Sequence, residues 1–246
     1  FALILQHFRP TSSAEISVEA NPDGLDGDRL GVLRDNGVNR LSLGVQSFDD
    51  AVLNTLERTH TGAQATATVL HCQRWIPNVS VDLIFGVPGQ TLSSWQQTLS
   101  VVTSLPVRHV STYGLTFEKG TPYFRREQHG QLQRAPDELE RQMYLDAIST
   151  LTAAGLLHYE VSNFAQPAFE CRHNMVYWNA DEYFAFGPGA ASYLNGVRRT
   201  NSRSVVRWIK AWQRCESAVE DSEELPNQEK AREAIMLAFR TRRGLN

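Results

Sequence analysis

The chain has 246 residues, 41% of them hydrophobic, with 24 Lys and Arg against 27 Asp and Glu and a formal net charge of -3. That length and apolar content suffice for one large domain or two small ones. Basic residues are scattered apart from Arg198-Arg199 and the group Arg240, Arg242 and Arg243, which excludes the footprint of a duplex-binding protein, so no nucleic-acid partner is expected.

The opening run FALIL falls far short of the roughly 20 apolar residues of a membrane span and lacks the basic flank of a secretory signal, so a cytoplasmic location is expected. Three widely spaced cysteines, Cys72, Cys171 and Cys215, suit reduced thiols better than a disulfide framework. The chain starts at Phe1 inside an apolar segment and stops just after the helical pattern of EAIMLAFRTRRGLN, which predicts a fragment of a longer protein.

Five short segments rich in β-branched and aromatic residues follow in order: EISVEA (15–20), RLSLGVQS (40–47), VSVDLIFG (79–86), HVSTYGLTF (109–117) and LHYEVSNF (157–164). Each of the first four precedes a stretch of helical periodicity. A helix is predicted over about Asp28 to Asn36, ending at Gly37. A longer one is predicted from about Pro136 to Ala154, with acids in its first turns, Gly155 past its end, and Leu139, Met143, Ala147 and Leu151 on one face. Strands alternating with helices predict an α/β fold with a parallel sheet.

Polar residues cluster where these strands end: Glu19, Gln46, Glu118, and Glu160 with Ser162 and Asn163, while Asp82 interrupts the third strand. In parallel α/β folds ligands sit at the carboxyl ends of strands, so this rim is a candidate site. A strand-end acid also serves simply by accepting hydrogen bonds from the next turn. Asp82 within VDLIF must be protonated, paired or turned to a ligand, because burying a lone carboxylate is costly. FGVPGQT (85–91) is either a plain turn or a close backbone approach to a ligand. Glu19 with Asp82 also forms the carboxylate pair a barrel hydrolase would need.

The stretch ECRHNMVYW (170–178) places an imidazole, an amide and two aromatic rings within six residues. His173 serves there either as a hydrogen-bonded structural residue or as a ligand.

Taken together and in order, EANP (19–22), GVNRLSLGVQSF (37–48), LERTH (56–60), DLIFGVPGQT (82–91), HYEVSNFA (158–165), RHNMVYW (172–178) and FGPGAASYLNGVRRTN (186–201) resemble the radical S-adenosylmethionine (SAM) proteins related to oxygen-independent coproporphyrinogen III oxidase. The HYEVSNFA, HNMVYW and FGPGAASY segments are similar to the HemW branch, the haem chaperones. The resemblance implies the later part of an incomplete (β/α)6 TIM-like barrel at 1–165, an HNxxYW-containing segment with a connecting helix at 166–225, and the start of a smaller C-terminal region at 226–246. It implies SAM contacts from Glu19, Gln46, Arg58 and Asp82, and haem contacts from His173, Asn174, Tyr177 and Trp178. For haem, a neutral imidazole is an ordinary axial ligand of the iron, aromatic rings offer flat apolar surface to the porphyrin, and Arg198 and Arg199 could meet its propionates. Cys171 is a rival ligand that many relatives replace with serine.

The implied function is haem delivery to a haem-requiring acceptor protein, which can be membrane-associated. The alternative is oxidation of coproporphyrinogen III, and the resemblance leaves open whether the protein is an enzyme. The family's CxxxCxxC motif, which holds a 4Fe-4S cluster, has no match in this sequence.

Overall fold

The computed structural model describes residues 2–245. The chain falls into two compact units, one ending at Glu170 and the other beginning at Cys171. The first contains α1 (Ala2–His7), β1 (Ser17–Ala20), α2 (Gly27–Asp35), β2 (Arg40–Gln46), α3 (Asp50–Thr55), α4 (Gly62–Gln73), β3 (Val79–Phe85), α5 (Leu92–Ser104), β4 (His109–Gly114), α6 (Pro122–Gln128), α7 (Asp137–Ala153), β5 (Leu157–Glu160) and β6 (Asn163–Ala165). The second contains α8 (Arg172–Trp178), β7 (Ala191–Leu194), β8 (Val197–Asn201), α9 (Val205–Gln213), β9 (Val219–Glu224) and α10 (Asn227–Ala238).

The first unit is built on a six-stranded sheet in the order β1-β2-β3-β4-β6-β5. The first four strands are parallel, with helices between them, as the alternation of the sequence requires. LHYEVSNF, expected to be one strand, is instead a hairpin: β6 runs antiparallel to both β4 and β5. The chain reverses because Glu160 Oε2 accepts from the backbone N–H of Ser162 at 3.2 Å and Glu160 Oε1 accepts from the Asn163 amide. The carbonyl of Ser162 accepts from Thr112 N–H at 2.7 Å and holds the turn against β4.

The sheet has two chemically distinct faces. Strand alternation puts Leu41, Leu43, Val79, Val81, Leu83, Val110 and Phe164 on one side, where they form the core with Ala65, Val69 and Cys72 of α4, Trp95, Leu99 and Val102 of α5, and Met143, Ala147 and Leu151 of α7. Trp95 locks α5 to α7, donating its indole N–H to the Met143 carbonyl at 2.7 Å.

Local chemistry fixes these helices. Asp26 caps α2 by accepting from Arg29 N–H, and α4 carries a reciprocal capping box between Thr61 and Gln64. Gly62 opens α4 where a side chain is impossible, since a Cβ there would lie 2.2 Å from the Phe48 carbonyl oxygen.

The second unit holds an antiparallel sheet, β7-β8-β9, that the sequence reading did not predict. Its first hairpin turns at Asn195 and Gly196, both at positive φ.

Candidate functional site

On the other face of the large sheet the paired residues are polar. Glu19 pairs with Ser42, Ser42 with Ser80, Ser80 with His109, and Asp82 with Ser111, which in turn pairs with Asn163. Parallel neighbours in register point the same way, so these side chains share one surface. It is closed at the strand starts and open at the strand ends: Arg40 is 4% exposed and Ser80 and His109 are fully buried, whereas Asp82 is half-buried and Tyr113 and Glu19 are exposed.

At the closed end His109 is bonded on both ring nitrogens, Nδ1 to Ser80 Oγ at 2.7 Å and Nε2 to Tyr159 Oη at 2.9 Å. Burial, and then the nearby Arg40 charge, holds the imidazole well below its ordinary pKa. Nε of Arg40 makes no hydrogen bond among the described residues.

At the open end Ser42 Oγ donates to the Asp82 carboxylate, 3.1 and 3.2 Å from its two oxygens. Burial raises the Asp82 pKa, with the Ser111 and Ser42 hydrogen bonds and the Arg40 charge opposing and the Glu19 charge adding to it.

The four residues assigned to SAM by resemblance lie on the first three strands and in the turn after α3. Glu19 is on β1, Asp82 on β3, and Arg58 donates to Asn21 Oδ1 at 3.4 Å, joining the EANP and LERTH segments. Gln46 closes β2 at φ +65, next to a register slip between Leu43 and Gln46. Its amide folds back over Gly44, where a Cβ would come within 2.9 Å of Gln46 Nε2 and 3.4 Å of Asn21 Oδ1. The end of β2 is pinned from behind by His60, whose Nε2 lies 3.0 Å from the Val45 carbonyl and whose Nδ1 lies 3.3 Å from Asp23. FGVPGQT is closed by its own side chain, Gln90 Oε1 accepting from Val87 N–H at 3.2 Å.

In the second unit HNMVYW forms α8, so His173 and Tyr177 share a face one turn apart. Tyr177 Oη lies 3.1 Å from His173 Nε2. The Tyr177 ring meets His173 edge-on at 5.0 Å and Tyr183 edge-on at 4.6 Å, and Tyr183 continues to Tyr193 at 6.3 Å. The result is a wall of aromatic rings beside an exposed imidazole; Asn174 and Trp178, on the same helix, are half-buried.

Arg198 is not free to meet a ligand as the sequence suggested. It pairs with Glu223 at 3.1 Å and Glu233 at 2.8 Å. Arg199, next along β8, is exposed.

Cys72 is buried in the core and its thiol is pushed up to about 11 by burial; Cys171 is buried at the start of α8, and Cys215 is exposed. No group of three His, Cys, Asp or Glu side chains able to hold a metal ion occurs among the described residues.

Residues 3–102 match the model of the Radical SAM superfamily. The chain is 35% identical to the "Heme chaperone HemW" of Bacillus subtilis over 99% of this chain and 65% of that protein. It is 38% identical to the protein of the same name from Lactococcus lactis over 80% of this chain and 52% of that one. Residues 3–102 thus form a radical SAM domain.

Coproporphyrinogen III oxidase (HemN) from Escherichia coli, described as a radical SAM enzyme, superposes with a TM-score of 0.84 over 98% of this chain and 58% of its own, at 22% identity. The mainly parallel sheet is therefore that of the TIM-like radical SAM fold. The chain spans less than two thirds of these relatives' lengths.

As a class, radical SAM proteins use SAM with a 4Fe-4S cluster. The described residues do not supply the thiolates of such a cluster, because the three cysteines lie in three unrelated settings.

Sequence reasoning missed His109, Ser80, Tyr159 and Arg40, and in the second unit Tyr183 and Tyr193. The alternation R-L-S, S-V-D and H-V-S was visible, and it marks strands with one polar face.

Proposed function

We propose that this chain works within a HemW-like haem chaperone that binds haem at α8 and delivers it to a haem-requiring acceptor protein in the cytoplasm. The observation that carries this reading is the exposed His173 imidazole set against the Tyr177, Tyr183 and Tyr193 rings, a donor for iron beside apolar surface for a porphyrin plane. Asn174 and Trp178 complete the HNxxYW segment, and Arg199 is the arginine left to meet a propionate. Relatives named haem chaperones align across this segment, supporting the same reading. A membrane-associated acceptor fits it equally.

The reading includes SAM at the open end of the polar face. Glu19 and Asp82 would accept from its ammonium and ribose hydroxyls, Arg58 would engage its carboxylate, and Gln46 would contribute its amide. Gly44 supports this fit by letting the Gln46 amide fold back beside Asn21. SAM, when bound, supplies the radical chemistry of the superfamily; the chain's own part is to orient it.

Porphyrinogen oxidation is the weaker alternative. The neighbour of that name is 22% identical, a likeness of fold alone. Formation of protoporphyrinogen by the anaerobically reconstituted full-length protein would establish that alternative.

Haem titration followed by visible absorption tests the main reading. Saturable binding is expected, weakened at least about tenfold by His173→Ala, since one lost axial ligand outweighs a typical hydrogen bond. Unchanged affinity in that variant removes His173 from the site.

A further inference from the structure

Tyr177 does more on α8 than line the aromatic wall. Its hydroxyl lies 3.1 Å from Nε2 of His173, the ring nitrogen farthest from the backbone. The phenol is held there from behind. Its ring packs edge-on against Tyr183 at 4.6 Å. Tyr183 is fixed by two backbone hydrogen bonds with Tyr193, of 2.9 and 3.0 Å, and by a side-chain hydrogen bond with Arg198. Arg198 is itself clamped by Glu223 and Glu233. Burial, with Tyr183 second, raises the Tyr177 pKa, so the group stays a neutral phenol at physiological pH. It can donate to a bare Nε2 or accept from a protonated one.

We propose that Tyr177 is a reversible cap on His173, competing with haem iron for Nε2. The inference rests on the haem reading of α8 and adds a regulating element to it. Iron approaching Nε2 must displace the phenol, so the imidazole binds haem less tightly than its own basicity allows. A carrier needs that compromise, because a cargo held at full strength is not passed on. When haem leaves, the phenol reoccupies the nitrogen and closes the exit behind it.

The test is a double-mutant cycle of haem titrations on the full-length protein: wild type, Tyr177→Phe, His173→Ala and the double variant. Phe keeps the ring and its stacking, so the fold is retained; matching circular dichroism of the variants checks this. Tyr177→Phe should tighten haem binding about three- to tenfold, the equivalent of one side-chain hydrogen bond. It should slow haem transfer to excess apomyoglobin by a similar factor, and both effects should vanish in the His173→Ala background.

If His173→Ala leaves affinity unchanged, the haem reading of α8 itself fails. If His173→Ala weakens binding but Tyr177→Phe also weakens it, the phenol supports a ligand coordinating through Nδ1, and the cap is overturned. An unchanged Tyr177→Phe affinity overturns it as well.

Discussion

Tyr159 and His109 are joined by a 2.9 Å hydrogen bond at the closed end of the polar sheet face, and with Ser80 on the other nitrogen the imidazole is fully buried and fully bonded. Because burial holds its pKa well below the ordinary 6.5, the folded protein keeps it neutral while the unfolded chain takes up a proton. Its contribution to stability is complete above pH 6.5 and is lost as pH falls below that value. Urea unfolding at pH 7.5 and 5.5 should show wild type losing about 1.4 kcal/mol more than His109→Gln across that interval. Asp82 and Glu160, whose pKa values are raised, act with the opposite sign in both proteins, so the difference isolates His109. Equal losses would mean that the ring titrates in the folded state.

Burial raises the Asp82 pKa, so an ionised Asp82 costs stability, and that cost disappears as pH falls through the folded value. Asp82→Asn should therefore unfold at no lower urea concentration than wild type at pH 7. In the cluster-reconstituted full-length protein, equilibrium dialysis should show SAM affinity reduced more than about tenfold, as for loss of a charged hydrogen-bond partner. A clear drop in stability would identify the carboxylate as structural.

Trp95→Phe removes the indole N–H that reaches Met143 and opens space between α5 and α7. A loss of about 2 kcal/mol in unfolding free energy is expected from the cavity and the unpaired carbonyl together. Less than about 0.5 kcal/mol would mean that the two helices close over the gap, as in sites that relax fully.

The two neighbouring arginines of β8 should separate by phenotype. Arg198→Ala breaks both ion pairs and the stacking of its guanidinium on Tyr193 at 5.7 Å, and should cost about 1 kcal/mol in thermal or urea unfolding. Arg199→Ala should leave unfolding unchanged and weaken haem binding about threefold, as for loss of one exposed charge-assisted contact. A stable Arg198→Ala variant would show that the clamp carries no load.

Strand positions, the α2 and α7 boundaries and the rim of polar strand ends were legible because each depends on local pattern: alternation, capping and glycine past a helix end. What escaped depends on partners distant in sequence. His109 reads as an unremarkable first residue of a strand until β3 and β5 bring Ser80 and Tyr159 to its two nitrogens, 29 and 50 residues away. Likewise Arg198 looks available until β9 and α10 deliver Glu223 and Glu233. The hairpin inside LHYEVSNF was hidden because its turn uses Glu160 and Asn163 side chains where glycine or proline would have announced it.

The unequal settings of the three cysteines have a practical consequence. Cys72 and Cys171 are shut away, the first with its thiol held at about 11, while Cys215 lies exposed just past α9. Thiol reagents need both access and thiolate, so a maleimide dye should, among the described cysteines, attach at Cys215 alone. A fluorophore at Cys215 then sits on the unit that carries α8, and its quenching by an incoming porphyrin becomes a direct optical reporter of haem arrival and departure.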